Sequence, residues 1–474
     1  MTAFVFRALG AFRPVFPRSS TWLFFCMVVL GFLCATDMIG ISSFCRLFGI
    51  DQNGYLSLLH FFRSAGWSVA GLYPVWEKII FSQANTIMAM GRAVFIGDHT
   101  YVPKDGRRMP GVVTLRQNSE TQTKPSYFRG HCWGAVAVLV GTIAAPFCLP
   151  LVLALHLGQI HIGKTSKKQE DRLTLGTQIV QTAIDIAIRN NLPSILILDA
   201  YFPSRAVFQL AASVWSIELK EPLVTLIIRA KKNYAAYFPA EKKDVKHAGR
   251  PATYGLKVKV MEMFDHIDFF SKVTCRLYGK TEEVLLLSID LLWKPTGSLI
   301  KFVFAMTSRG PIVLMCSDLT IDPVVALELY CLRMRVEGMI DMLKNLIGAF
   351  RYRFWTTKMP LCSRKPKRNK KLTAPAAENI PTVKLCWEAY ERFAMMGAIA
   401  LGLLQMIALK YTDSVWAKFD GFLRTRSRAL PSERTVRIVI MKLLITNFHS
   451  LAPAAILREI RDWVRLKKRS RKRS

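Results

Sequence analysis

The stretch SILILD, residues 194 to 199, most constrains the fold, because it is an apolar strand that ends in an acid and follows a segment of helical periodicity. Residues 168 to 190 repeat apolar side chains at helical spacing, and Pro193 separates that predicted helix from the strand. Residues 93 to 102, AVFIGDHTYV, predict a further strand with Asp98 in its middle. Strands that alternate with helices predict an α/β core.

Helical patterns precede this core. Residues 1 to 90 predict helices, and a helix-turn-helix fits residues 36 to 67, where Gly49 can end one helix and Asp51 or Asn53 can cap the next. An ordinary helical hairpin would have the same pattern, so DNA binding by this segment is one of two interpretations.

The later part of the chain alternates between strand-rich and helical stretches. Residues 220 to 316 contain strand patterns without a long helix between them, which predicts an all-β insertion, and residues 320 to 355 predict one long helix capped at Asp322. The predicted organisation is a helical N-terminal region (1–90), a first core part (91–219), the insertion (220–316), a second core part (317–359), a basic linker (360–382) and a helical C-terminal region (383–474).

The chain is strongly basic, with 66 Lys and Arg residues against 33 Asp and Glu residues and a formal net charge of +33. Basic residues are concentrated at 364 to 371 (RKPKRNKK) and at 465 to 474. Such a surplus indicates a polyanionic partner, either nucleic acid or an anionic membrane surface, although a basic tract can also be a solvated segment. Contact with a phosphate backbone is the better interpretation.

Three apolar runs raise the alternative of a basic multi-span membrane protein. Residues 21 to 36 are too short a run for a typical span, and residues 131 to 158 are broken by Pro146 and Pro150, so two buried strands fit them better. Residues 393 to 409 are the best candidate, and a buried helix explains them equally well. The 10 cysteines form no CxxC pair, which indicates a reducing compartment without structural zinc.

The stretch GQIHIGKT, residues 158 to 165, matches the phosphate-loop pattern GxxxxGK[ST], and SILILD could supply the acid that accompanies such a loop. A P-loop ATPase that assists DNA transactions is therefore an alternative function. A phosphate loop belongs to an α/β domain, however, and the chain beyond Asp199 is largely β in pattern. We expect residues 158 to 165 to form a polar turn leaving the third core strand.

Four residues of the predicted helix 320 to 355 fall on one stripe: Tyr330, Arg333, Glu337 and Lys344. At about 100° per residue, they all point within about 60° of one another. An acid beside two cations suits a metal ion and a phosphate group, with Glu337 as the metal ligand and Arg333 and Lys344 on phosphate oxygens. A salt-bridged helix surface is the alternative.

The spacing Y-x2-R-x3-E-x6-K resembles the YREK group of bacterial insertion-sequence transposases, and the likeness covers roughly residues 90 to 355. The blocks that carry it, in order, are GDHTYVPKDGRRMPG around Asp98, GHCW (130–133), ILDAYF around Asp199, IIRAKKN (227–233), GRPATYG (249–255) and the helix from Tyr330 to Lys344. Several blocks in order are more specific than the helix positions alone.

This resemblance implies a fold and a metal-dependent chemistry. The fold would be α/β, an RNase H-like mixed sheet interrupted by the β insertion and flanked by helical regions. The implied catalytic residues and metal ligands are Asp98, Asp199 and Glu337, which would hold two Mg²⁺ or Mn²⁺ ions. Asp318 and Asp341 are further acids that could assist or replace one of these ligands.

The implied function is that of a transposase, an endonuclease that cleaves transposon ends and transfers the strands into target DNA. Tyr330, Arg333 and Lys344 would contact DNA phosphates. The implied partner is DNA, with a homodimer or larger assembly in the synaptic complex, no membrane and no small-molecule substrate, in the bacterial cytoplasm at the nucleoid. Trp293 could stack on an extruded base, but a buried core tryptophan is the more common role.

Overall fold

The N-terminal region is helical in this computed structural model, which describes residues 1–36, 39–116, 126–163, 174–218, 220–240, 252–365, 373–423 and 430–446. Its helices are α1 Thr2–Ala11, α2 Ser19–Cys34, α3 Ile41–Phe48, α4 Gln52–Arg63 and α5 Leu72–Gln83. They pack through aromatic side chains, as in the contact of Phe32 with Phe44 at a centroid distance of 5.0 Å.

The turn between α3 and α4 has the capping chemistry that the sequence predicts. Gly49 ends α3 with a φ of 60°, a left-handed conformation that glycine adopts without a steric penalty. Asp51 caps α4, because its carboxylate accepts a hydrogen bond from the N–H of Gly54 at 2.9 Å. The predicted helical hairpin is therefore present.

Most of the remaining structure before residue 317 is strand. In chain order the strands are β1 Met88–Ala89, β2 Arg92–Pro103, β3 Val113–Arg116, β4 Tyr127–Thr142, β5 Ala145–Leu155, β6 Ser194–Leu198, β7 Trp215–Ser216, β8 Glu221–Pro222, β9 Val224–Arg229, β10 Ala235–Pro239, β11 Tyr254–Lys259, β12 Ser271–Leu277, β13 Lys280–Trp293, β14 Ser298–Thr307 and β15 Gly310–Cys316. Helix α6 (Leu175–Asn190) precedes β6, and α7 (Arg205–Ala211) follows it.

The centre of the molecule is a mixed sheet of 13 strands. Along its main path the order is β11-β10-β13-β14-β15-β9-β6-β2-β4-β3, and β5 also pairs with β4. The pairs of β4 with β2 and with β5 are antiparallel, whereas β6 is parallel to both β2 and β9. The predicted α/β class with a mixed sheet is confirmed, as is the division of residues 131 to 158 into two strands.

The β-rich stretch after β6 extends this same sheet. β9 pairs with β6 on one side and with β15 on the other, so the later strands continue the central sheet outward. β9 itself is a central strand, although the predicted insertion begins before it, at residue 220. Periodicity cannot separate the two cases, because a core strand and an inserted strand bury apolar residues alike.

The predicted single helix 320 to 355 is wrong in its length and continuity. α8 (Pro323–Leu332) is capped by Asp322 as predicted, and it is followed by α9 (Arg335–Asp341) and a π-helical turn, Met342–Ile347. The helical run stops at Gly348, whose φ of 73° is left-handed, and the residues from Arg351 to Trp355 are not helical.

The C-terminal helices are α10 Ile380–Lys410, α11 Thr412–Lys418 and α12 Glu433–Thr446. α10 packs against β5, α2, α4 and α12. The helical stretch Ala377–Lys410 is long and apolar enough to cross a membrane by length and composition alone, and 89% of its apolar window is buried inside the protein. Burial of this kind is also what a core helix of a soluble protein shows. The basic tail, residues 465 to 474, lies outside the described residues.

The cysteines behave as small apolar side chains. All 10 are free thiols, and apart from the partly exposed Cys362 they are buried.

Candidate active site

The first two acids of the predicted triad end up side by side because of strand register. β2 and β6 are parallel neighbours in which Ile96 lies opposite Ile197. Asp98 and Asp199 each follow two residues later, so the same register brings them together. The Asp98 side chain is buried, and its Oδ1 accepts a hydrogen bond from the N–H of His99 at 2.8 Å. Asp199 Oδ1 accepts one from the N–H of Ala200 at 2.7 Å.

The third acid comes from the helical run that follows the sheet. α9 packs against β2 and β5, and Glu337 lies in its first turn. The Glu337 side chain is 54% exposed, whereas the Asp98 side chain is 10% exposed. One acid is therefore nearly enclosed while another remains open to solvent.

Arg333 lies between all three carboxylates. Its Nη2 atom is 3.0 Å from Oδ2 of Asp98 and 3.3 Å from Oδ2 of Asp199. Its Nη1 atom is 3.4 Å from Oε1 of Glu337. The structure thus brings the predicted triad together around a single cation from the predicted stripe.

The charge of Arg333 is stabilised by these neighbours. The residue is only 8% exposed, and burial alone would lower the pKa of its guanidinium. Asp98, Asp199, Tyr330 and Glu337 more than offset that effect, so the pKa of Arg333 lies above its ordinary value. Its Nε atom is buried without a hydrogen-bond partner among the described residues.

Tyr330 lies on the Asp199 side of the cluster. Its hydroxyl is 3.5 Å from Oδ1 of Asp199, and the charge of Arg229, at the end of β9, acts on the pKa of Tyr330 in the opposite direction to that of Asp199. Burial and the charge of Asp199 raise the pKa of Tyr330, so the hydroxyl stays protonated and donates to the carboxylate. Arg229 belongs to the block IIRAKKN, for which the resemblance implies no role.

His99 is a second residue that the sequence did not single out. Its Nδ1 atom lies 3.6 Å from Oδ1 of Asp98, and its ring packs against Tyr201 at a centroid distance of 4.8 Å. Adjacent strand residues point to opposite faces, so a strand pattern does not predict a contact between His99 and Asp98. The contact forms because the Asp98 carboxylate turns back toward the backbone of His99.

The other candidate residues lie apart from this cluster. Lys344, in the π-helical turn, lines a basic cavity next to the site. Asp318 accepts hydrogen bonds from Thr320, and Asp341 accepts one from Asn345 at 2.6 Å. Neither acid is among the groups that contact Arg333.

Trp293 is a core residue and not a stacking platform. It is 3% exposed, and its ring packs against Phe208 and Tyr234 at centroid distances of 5.4 and 5.6 Å. Trp293 therefore has the more common role of a tryptophan, that of a buried core residue.

The acid cluster suits a hard divalent cation in its donor type. Carboxylate oxygens are the ligands that Mg²⁺ and Mn²⁺ prefer, and all three carboxylates already face one positive charge. In the arrangement described here, no group of three or more His, Cys, Asp or Glu side chains within the described ranges is close enough to hold a metal. Binding an ion would require Arg333 to leave its place between the acids.

The glycines of GQIHIGKT have a packing role. A Cβ atom on Gly158 would lie 2.5 Å from the Cα of Gly111, and the φ of Gly158 is 83°. His161 accepts a hydrogen bond at Nδ1 from the N–H of Gly111 at 2.8 Å, which fastens the turn to the loop after β2. Residues 158 to 163 form a short turn after β5, as expected; Lys164 and Thr165 lie outside the described residues.

Residues 31–265 match the sequence model of a family described as "DDE superfamily endonuclease". That range contains Asp98 and Asp199 and ends before Glu337. No curated protein matches the chain. A solved structure titled "Crystal structure of the NurA nuclease from Sulfolobus solfataricus" is similar at 8% identity and a TM-score of 0.21, covering 67% of this chain and 100% of that chain. A likeness at that TM-score carries no argument about fold or function. The family match and the mixed α/β fold together support the DDE/RNase H-like superfamily for this chain.

Proposed function

We propose that this protein is a transposase that cleaves DNA at transposon ends and transfers the strands into target DNA. The observation that carries the proposal is the convergence of Asp98, Asp199 and Glu337 on one cation, from two neighbouring strands and a helix. The family match supports an endonuclease, and the resemblance to the YREK group supports transposition. DNA at the nucleoid of the bacterial cytoplasm is the proposed partner, bound by a homodimer or larger assembly.

The three carboxylates are the proposed ligands of two Mg²⁺ or Mn²⁺ ions. When bound, such ions would lower the pKa of an attacking water or 3′-hydroxyl and stabilise the leaving oxygen of the phosphodiester. The N–H of Ala200 donates to Asp199 at 2.7 Å, and the N–H of His99 donates to Asp98 at 2.8 Å. Both backbone contacts fix the direction of a carboxylate before any ligand arrives, and the protonated Tyr330 hydroxyl lies 3.5 Å from Asp199.

Arg333 has two proposed positions. Without metal it neutralises the acids, and with metal and DNA it would turn to a phosphate oxygen, as a planar guanidinium can do in bidentate fashion. Lys344, which lines the cavity, is the proposed contact for a phosphate further along the strand.

The test is incubation of the purified protein with supercoiled DNA that carries the inverted repeats flanking its own element. Nicked, linear and joined products should form with Mg²⁺ and be absent with EDTA. Nicking without joined products would mean that the protein is an endonuclease without strand-transfer activity. No cleavage of cognate DNA with either Mg²⁺ or Mn²⁺ would contradict the proposal.

The P-loop alternative has less support. The loop that would hold a nucleotide packs closely on Gly111, and β5, the strand before it, pairs antiparallel to β4. ATP binding, measured by calorimetry, would support that alternative, and the Lys164→Ala variant should then no longer bind ATP.

A further inference from the structure

A large basic cavity is lined in part by β2 and the π-helical turn, two elements that continue from residues of the acid cluster. Its volume is about 1250 Å³, and it lies between α3, α4, the loop after β2 and the chain that follows the π-helical turn. Its lining contains one acid among the described residues, Asp105, and eight cations, which are Arg46, Lys104, Arg107, Arg108, Lys344, Arg351, Arg353 and Arg364. So many like charges in one cavity repel one another, and a polyanion would relieve that repulsion.

The walls of the cavity are held in place by part of this basic set. Lys104 donates hydrogen bonds from Nζ to the carbonyls of Phe350 and Tyr352 at 2.6 and 2.9 Å. Arg107 and Arg108 likewise donate to backbone carbonyls between residues 357 and 362. The loop after β2 therefore fastens the chain that follows the π-helical turn, and the cavity has its shape before a ligand binds.

The segment RYRFW, residues 351 to 355, alternates between buried and exposed side chains. Tyr352 and Phe354 are 1% and 3% exposed. Arg351, Arg353 and Trp355 are exposed instead, and Trp355 is 54% exposed. Alternation of this kind is typical of an extended chain, in which alternate side chains lie on one side about 6.6 Å apart.

These exposed side chains are available for a ligand. Neither Arg351 nor Arg353 forms an ion pair or a side-chain hydrogen bond with any residue in the described ranges. Trp355 is fixed through its backbone, because Arg63 of α4 donates a hydrogen bond to its carbonyl at 2.9 Å. Its indole ring is open to solvent.

We propose that Arg351, Arg353 and Trp355 form a docking strip for an unpaired DNA strand. The two guanidinium groups would bind successive phosphates, and the indole would stack on a base. An unpaired strand is favoured over a duplex because the ring needs an exposed base face. The acids of the cluster do not line the cavity themselves, but two elements lead from them to it: Tyr101 to Pro103 continue the strand of Asp98, and Lys344 follows Glu337 by two turns. This inference rests on the proposed function in taking DNA as the substrate.

Binding without cleavage separates this inference from the catalytic proposal. The anisotropy of a fluorescent single-stranded oligonucleotide would be measured in EDTA with the full-length protein, the double variant Arg351→Ala/Arg353→Ala and Trp355→Ala. Matched controls are Lys280→Ala/Lys294→Ala, which removes two exposed charges elsewhere, and Trp215→Ala, which alters a tryptophan that is 61% exposed.

The double variant should weaken binding at least tenfold and lower the salt slope by about 0.7 for each lost phosphate contact. Trp355→Ala should weaken binding between about 5-fold and 160-fold, with less effect on a duplex of the same length. The controls should stay within about twofold of the wild type. Equal affinities for the strip variants and the wild type would overturn the inference.

A direct contact measurement uses the wild-type protein, so its result does not depend on whether a variant folds. An oligonucleotide carrying 5-iododeoxyuridine should crosslink to Trp355 of the wild-type protein on irradiation, as mapped by mass spectrometry. Crosslinks confined to other residues would also overturn the inference. If cognate DNA is nicked yet the strip variants bind normally, only the strip is wrong; if the strip variants lose binding yet nothing is cleaved, only the catalytic proposal is wrong.

Discussion

At the scale of single residues, Arg333 accounts for most of the geometry at the candidate active site. The spacing on the helix predicts that Arg333 and Glu337 share a face, and this pair is observed. The contacts to Asp98 and Asp199 join positions far apart in the chain, so helical periodicity alone could not predict them. The strand patterns single out Asp98 and Asp199, the helical stripe singles out Glu337, and the resemblance implies that the three form a triad; none of these predicts a cation between them.

Arg333→Ala should destabilise the metal-free protein by about 3 to 5 kcal/mol, because the buried carboxylate of Asp98 loses its compensating charge. Asp199 and Glu337 contribute little to this loss, since solvent screens their more exposed carboxylates. Chemical denaturation in EDTA measures the effect, and Arg333→Lys should recover part of it. Added Mg²⁺ should stabilise Arg333→Ala more than the wild type, because the ion no longer competes with the guanidinium. Equal stability of Arg333→Ala and wild type in EDTA would argue against the charge cluster.

At the scale of elements, strands were easier to predict than their assembly. The patterns around residues 93 to 102 and 194 to 199 predict β2 and β6 because their apolar residues are consecutive and buried. The end of the helix at Gly348 was missed, because the alternating aromatic and basic side chains of residues 351 to 355 also fit a helical surface over so short a stretch. The sequence does not predict that β9 is a central strand, because the partners with which a strand pairs leave no pattern in its own residues.

The two glycines that bound the turn after β5 offer a matched comparison. Gly158→Ala should lower the free energy of unfolding by about 1 to 3 kcal/mol beyond the cost of its left-handed φ, because the new Cβ would lie 2.5 Å from the Cα of Gly111. Gly163→Ala has a similar φ of 76°, but its Cβ would lie 3.3 Å from a side-chain atom of Ile380, which can adjust. Urea denaturation of both variants measures the difference. A milder effect for Gly158→Ala than for Gly163→Ala would contradict the packing role.

At the scale of the whole molecule, two buried histidines tie distant parts of the fold together. His131 contacts the hydroxyl of Tyr352 at 2.6 Å and the carbonyl of Pro110 at 2.8 Å, and His161 holds Gly111. Burial lowers the pKa of His131 to about 3 and that of His161 to about 4. Both rings are therefore neutral at physiological pH, while in the unfolded chain they titrate near 6.5.

Stability should consequently fall in acid. Between pH 6.5 and about 4, His131 and His161 bind protons in the unfolded chain but not in the folded protein. The free energy of unfolding therefore decreases as the pH falls. Denaturant titrations at pH 7.5, 6, 5 and 4 measure this, and the decrease should be smaller in His131→Gln. An identical pH dependence in that variant would exclude His131 as a cause.

The net charge of +33 is also a property of the whole molecule, and it favours the binding of a polyanion. Binding to duplex DNA should weaken steeply with salt, with a slope in log–log form of about 0.9 for each neutralised phosphate. Anisotropy titrations with duplex DNA at several salt concentrations measure that slope. A slope near zero would contradict a phosphate-dominated contact and favour a different use of the charge.

The most direct test of the central claim is strand cleavage of cognate supercoiled DNA by single-residue variants of the acid cluster. Asp98→Asn, Asp199→Asn and Glu337→Gln should each abolish Mg²⁺-dependent nicking while binding to the transposon ends stays near the wild-type level. Asp341→Asn, which alters an acid that contacts Asn345 and not Arg333, should nick as the wild type does. Wild-type nicking rates in any of the first three variants would contradict the assignment of the catalytic residues.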